Sequence, residues 1–185
     1  MKRTIIFLIV MIFTLSLSGC ATRDRDRAGV FPDFVRRAVA NAPADVLVGV
    51  GNARLNSLAH SRTASAGRAR AEIARQMNTM VEDMVRDYMA GSELDPRAAI
   101  SFQEVITVSL SRAELQGASI VAQDRARDGV VWTVVFMGRE NVAKEINQAQ
   151  AAARLAVPAM ASFDAEARMN EAFNRTNARE RSNFW

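Results

Sequence analysis

The residues predict an α+β fold: one long helix packed on a small antiparallel sheet of about three strands, with additional C-terminal helices. Three observations carry this expectation. Residues 57–90 run without proline, and Ile73, Met77, Met80 and Met84 recur at helical spacing, the mark of one buried helix face. Residues 117–124 and 130–138 are two strand-like runs separated through Asp128-Gly129, a hairpin turn signal. Residues 45–52 alternate, with Val46, Val48 and Val50 on one side and Leu47, Gly49 and Gly51 on the other, as a strand does.

Taken in order, residues 31–40 (FPDFVRRAVA) form a short helix starting near Pro32 or Asp33, and Pro43 ends it. The glycine side of residues 45–52 allows a helix or backbone to come close. In the long helix, Val81, Val85 and Tyr88 widen the methionine stripe, while the first half is rich in alanine. Gly67 costs up to about 1 kcal/mol of helix propensity, so a break there stays open. Gly91 and Pro96 end the helix. Residues 98–115 read equally as helix, on Phe102, Ile106 and Ser109, or as strand, on Ile106, Val108 and Leu110. The run 130–138 is apolar on both faces and is expected at the sheet centre, covered twice. Residues 139–156 read as a helix ended by Pro158, and 159–181 as a last helix with Met160, Phe163, Ala167 and Phe173 near its inner face. That last helix is a weak cover, because Ala165, Ala167 and Asn170 dilute its apolar face. The second sheet face therefore needs the helices beyond Arg139 or a second copy of the chain. On that ground Trp132, Val134 and Phe136 are candidate residues of a self-association interface.

The N-terminus reads as an export signal. Lys2 and Arg3 precede the apolar run 4–17, which is shorter than the roughly 20 residues a spanning helix needs. Leu17-Ser18-Gly19-Cys20 follows, and Cys20 is the one cysteine of the chain, so it has no intramolecular disulfide partner. The set fits a lipobox: the Cys20 thiolate takes a diacylglyceryl group and the chain is cut before it. Several acyl chains on one residue hold a protein on a bilayer far more firmly than one. The expected organisation is a signal peptide over 1–19, a lipidated mobile tether over 20–30 with alternating Arg and Asp, an α+β domain over 31–158 and a helical extension over 159–185. Ala21 in place of Asp at the second mature position favours, by resemblance to lipoproteins of two-membrane bacteria, outer-membrane residence. The domain would then face the periplasm or the cell surface.

Composition narrows the function further. Without residues 1–19 the charge is near balance, 22 basic residues against 20 acidic ones, and no basic stripe or aromatic platform argues for nucleic acid. Gly49-Val50-Gly51 is followed by Arg54 where a dinucleotide fingerprint has its third glycine. His60, the one histidine, has no carboxylates at ligand spacing. No nucleophile elbow and no distinguished carboxylate pair is legible, so no catalytic residue, metal ligand or cofactor is expected.

Four segments carry a resemblance: Val48-Gly49-Val50-Gly51-Asn52-Ala53, then SRTASAGRARAEIARQM, then LQGASIV, then DGVVWTVVFM. In this order, over roughly residues 45–145, they resemble the LPP-twenty family of small bacterial surface lipoproteins. More distantly they are similar to the N-terminal domain of the flagellar T-ring protein. The resemblance implies a long helix on a small antiparallel sheet and no enzymatic activity. The expected partners are other copies, envelope proteins or, on the T-ring similarity, flagellar proteins. A small envelope hydrolase or ligand carrier is the alternative from another class. The Arg-Asp tether and the helix after Pro158 depart from the family pattern.

Overall fold

A computed structural model of the chain describes residues 31–92, 95–112, 115 and 117–182. The expected signal peptide, Leu17, Ser18, Gly19, Cys20 and the tether over 20–30 lie outside the described residues, as does the tail Asn183-Phe184-Trp185. Contacts divide the chain into Met1–Pro32 and Asp33–Trp185, and the fold below is that of the second unit. Its elements are α1 (Asp33–Ala40), β1 (Val46–Ala53), α2 (Leu58–Met89), α3 (Pro96–Arg112), β2 (Ala118–Arg125), β3 (Val131–Gly138), α4 (Arg139–Ala156), a 3-10 turn (Pro158–Met160) and α5 (Glu166–Ser182). The expected α+β architecture is thus the observed one.

The three strands lie in the order β1-β3-β2, all antiparallel. The strand richest in large apolar side chains takes the centre, where both of its faces leave water. The β2–β3 turn closes with Gly129 N–H donating to the Ala126 carbonyl and Gly129 at φ 85°, a backbone region that glycine enters without a steric penalty. β2 carries a bulge between Ile120 and Ala122.

On one face, Leu47, Gly49, Gly51 and Ala53 line up with Met137, Val135, Thr133 and Val131, and α2 packs on them. A Cβ built on Gly49 would collide with the Ala69 carbonyl oxygen. One on Gly51 would collide with the Ser65 carbonyl oxygen and the Ala69 nitrogen. Helix and strand therefore touch backbone to backbone, which only glycine permits. α2 passes unbroken through Gly67, which is exposed and has open space where a Cβ would stand.

Beyond the sheet, the methionine stripe of α2 enters a helical layer. Met77, Met80, Val81, Met84 and Val85 share one hydrophobic cluster with Phe102, Ile106 and Leu110 of α3 and with Val142 and Ile146 of α4. This decides the ambiguous stretch as helix. Phe102, Ile106 and Leu110 recur every four residues and are buried, whereas Val108, which a strand would have used, is exposed. Phe163 closes the layer with edge-on ring contacts to Tyr88 and Phe102, centroids 5.4 and 5.3 Å apart.

Two expectations are corrected. First, the second sheet face is covered by α1, through Val35 and Val39, and not by the helices beyond Arg139. Those helices extend the layer over α2 and α3. Second, the last helix starts at Glu166 rather than 159. Between Met160 and Glu166 the chain bends so that α5 can return along α2. Buried Gln150 holds the bend, its Nε2 donating to the Phe163 carbonyl (2.9 Å) and its Oε1 accepting from Ala165 N–H (3.1 Å). Ala167 is consequently exposed, and Met169, Ala172 and Phe173 face inward. Residues beyond Pro158 also pack into this layer. Met160, Phe163, Met169 and Phe173 belong to the same cluster as the methionine stripe, so residues 159–182 complete the domain.

Candidate functional site

The candidate interface residues are placed beneath α1. Trp132 and Val134 are buried and Phe136 is half-buried. The exposed patch that argued for self-association through them is filled by the chain's own helix. Gly49-Val50-Gly51 lies inside β1, against α2, and not in a loop opening onto a helix. His60 is exposed in the first turn of α2. Among the described residues no three His, Cys, Asp or Glu side chains gather as metal ligands would. None of the described helices is long and apolar enough to cross a membrane.

Two polar groupings stand out, and both serve the fold. Ser65 and Thr133 meet at 2.6 Å between α2 and β3. Gln123 Nε2 donates to Thr133 Oγ1 (2.8 Å) and to the Arg62 carbonyl (3.1 Å), and Ser65 Oγ donates to that same carbonyl (3.0 Å). With Thr133 as donor to Ser65, every hydroxyl in the ring gives one proton and accepts one. The ring ties the helix to two strands and leaves no hydroxyl poised as a nucleophile. The second grouping is an ionic seam between antiparallel α2 and α5. Arg175 meets Asp87 at 2.6 Å, Arg179 meets Asp83 at 2.9 Å and Arg75 meets Glu180 at 3.3 Å. Arg75 also hydrogen-bonds Glu72 and so holds that carboxyl below its usual range, while Glu72 in turn raises the Arg75 pKa. Asp87 likewise raises that of Arg175.

One surface feature went unread in the sequence. Ala53, Val131 and Arg125 pair side by side and define one end of the sheet. The β1–α2 connection, the first turns of α2 and the β2–β3 turn all gather there. Arg54, Arg62, Arg68, Arg125 and Arg127 are exposed on these segments. Gln123 reaches the Arg62 carbonyl, the Arg68 guanidinium donates to the Asn52 carbonyl, and Arg125 Nε donates to the Gly129 carbonyl. None of the five arginines forms an ion pair with a described residue. The nearby acids serve the local backbone or α1. Asp124 accepts from Arg125 N–H, Asp128 accepts from Val130 N–H, and Asp33 pairs with Arg36. Leu55 and Leu58 stand among the arginines, 51% and 46% exposed. A signal was available: residues 46–71 contain no Asp or Glu. It was hidden because whole-chain charge is near balance, and the acids that balance it sit largely in the α2–α5 half.

Comparison with known proteins adds no family: no family model matches the chain, and no curated protein matches it.

Proposed function

We propose that this is a lipid-anchored, non-catalytic protein of the bacterial envelope, held at the outer membrane through acylated Cys20 and binding protein partners or further copies of itself. The observation that carries the reading is Leu17-Ser18-Gly19-Cys20, directly behind a basic start and the apolar run 4–17, with Cys20 the one cysteine of the chain. It is supported by a compact unit that starts at Asp33, leaving residues 21–32 to join the anchor to the fold. The LPP-twenty-like segments fall on β1, α2, β2 and β3, and agree with a scaffold whose inner face is committed to packing. The distant likeness to the flagellar T-ring domain rests on the same segments and motivates a narrower version, an accessory part of the periplasmic flagellar apparatus.

Cys20→Ala removes the acyl acceptor, and cleavage before residue 20 then fails as well. The expected outcome is loss of metabolic palmitate labelling and accumulation of precursor at the inner membrane. Labelling that persists in Cys20→Ala would sink the anchored reading.

A further inference from the structure

We infer that the arginine end of the sheet docks on an anionic phospholipid surface, with Leu55 and Leu58 entering the headgroup layer. This rests on the anchored reading above and adds an orientation to it: the domain stands on the bilayer by its Ala53–Arg125–Val131 end.

Charge complementarity comes first. Five exposed arginines crowd one end without ion-pair partners among the described residues, whereas the arginines of the α2–α5 seam are paired. Guanidinium groups suit phosphate oxygens, which they can meet with two parallel hydrogen bonds. Exposed leucines between arginines are the second argument. Leu55 and Leu58 flank the β1–α2 connection, where no described element covers them. Apolar tips rimmed by basic groups are how interfacial segments bind membranes. Nucleic acid would be served instead by aromatic stacking platforms, and the exposed large apolar residues here are aliphatic.

Tethering is the third argument. The compact unit begins at Asp33. On the anchored reading, residues 21–32 join Cys20 to the fold. At no more than about 3.6 Å per residue, they keep Asp33 within about 43 Å of the anchored lipid. That confinement raises the effective concentration of headgroups, so modest attraction suffices. Near an anionic leaflet each arginine favours the docked state about fivefold, and added salt screens the effect.

The test uses the full chain purified from membranes and reconstituted in phosphatidylcholine alone, or in equal parts phosphatidylcholine and phosphatidylglycerol. Amide hydrogen exchange is read over residues 54–58 and 125–129. Docking predicts slower exchange there in the phosphatidylglycerol sample, reversed by salt. Arg54→Glu with Arg127→Glu should return it to the phosphatidylcholine rate. Arg97→Glu with Lys144→Glu, exposed on α3 and α4, removes equal charge and should leave the protection intact. Equal exchange in the two lipids, or loss of protection in both double variants alike, overturns docking. Protection by added RNA but not by phosphatidylglycerol overturns it in favour of a nucleic-acid surface. Intact mass of the same sample separates the two claims. A missing acyl group on Cys20 defeats the anchored reading, while the unlipidated chain mixed with the same two vesicle types still reads the docking. An acylated chain with equal exchange defeats docking alone.

Discussion

Gly51 and Gly67 have opposite uses within one helix–strand contact. At Gly51 an added methyl meets the α2 backbone, and a backbone cannot rotate aside as a side chain can. Gly51→Ala should therefore destabilise the domain by about 3 kcal/mol or more, the upper range of overpacking. Gly67 is exposed in the helix interior with open space around it, so Gly67→Ala should stabilise by up to about 1 kcal/mol. Denaturant midpoints of the two variants, moving in opposite directions, check the contact. Glu72 offers a pH signature. Its hydrogen bond to Arg75 lowers its pKa in the folded chain below the ordinary 4.5. The folded state thus gains from ionised Glu72 above that value, and the gain is lost as pH falls through the lowered one. The stability difference between wild type and Glu72→Gln should be constant near neutrality and shrink on the acid side of 4.5, read by thermal melts against pH.

At the scale of elements, α5 is held to α2 in two ways. Phe173 and Met169 supply buried apolar contact, and the ionic seam supplies register. Exposed ion pairs contribute little singly, so the seam chooses how α5 lies more than whether it binds. Asp83 is the acid of the seam that bridges two arginines: it meets Arg179 at 2.9 Å and Arg86 at 3.3 Å with 16% side-chain exposure. A double-mutant cycle on Asp83→Asn and Arg179→Gln should give a coupling of about 0.3–1 kcal/mol, falling as salt is raised. A coupling of zero at low salt would mean that α5 is placed by its apolar face alone.

For the molecule as a whole, the long helix joins two halves that would otherwise be separate: a glycine-floored contact with the sheet, and a methionine-lined layer with α3, α4 and α5. Because the C-terminal segment fills that layer, it is part of the cooperative unit. Removing residues 159–185 would strip Met160, Phe163, Met169 and Phe173 from the shared cluster. At about 2 kcal/mol for each buried side chain, the loss is comparable with a domain's entire stability of about 5–15 kcal/mol. The truncated chain should lose its cooperative thermal transition, measured by circular dichroism. A truncated domain that melts as sharply as the whole would show that the segment is a dispensable extension after all.

The sequence by itself determined the elements whose signals are local. The Met77–Met80–Met84 stripe, the Asp128-Gly129 turn, the two-faced apolar strand 130–138 and the glycine side of β1 each carry their meaning within a few residues, because period, turn chemistry and side-chain size act at short range. The proposed lipobox is equally local, Leu17-Ser18-Gly19-Cys20 behind an apolar run. What tertiary structure decided were the choices between partners distant in the chain. Residues 98–112 became helix because Phe102, Ile106 and Leu110 had the methionine stripe to face. Trp132 and Val134 were buried by α1, a helix of eight residues too short to announce which face it covers. The last helix began at Glu166 because Gln150 holds the preceding bend. The arginine end emerged only when the fold brought together segments as far apart as Arg54 and Arg127, since net charge sums over the chain while a surface potential depends on where folding puts each charge.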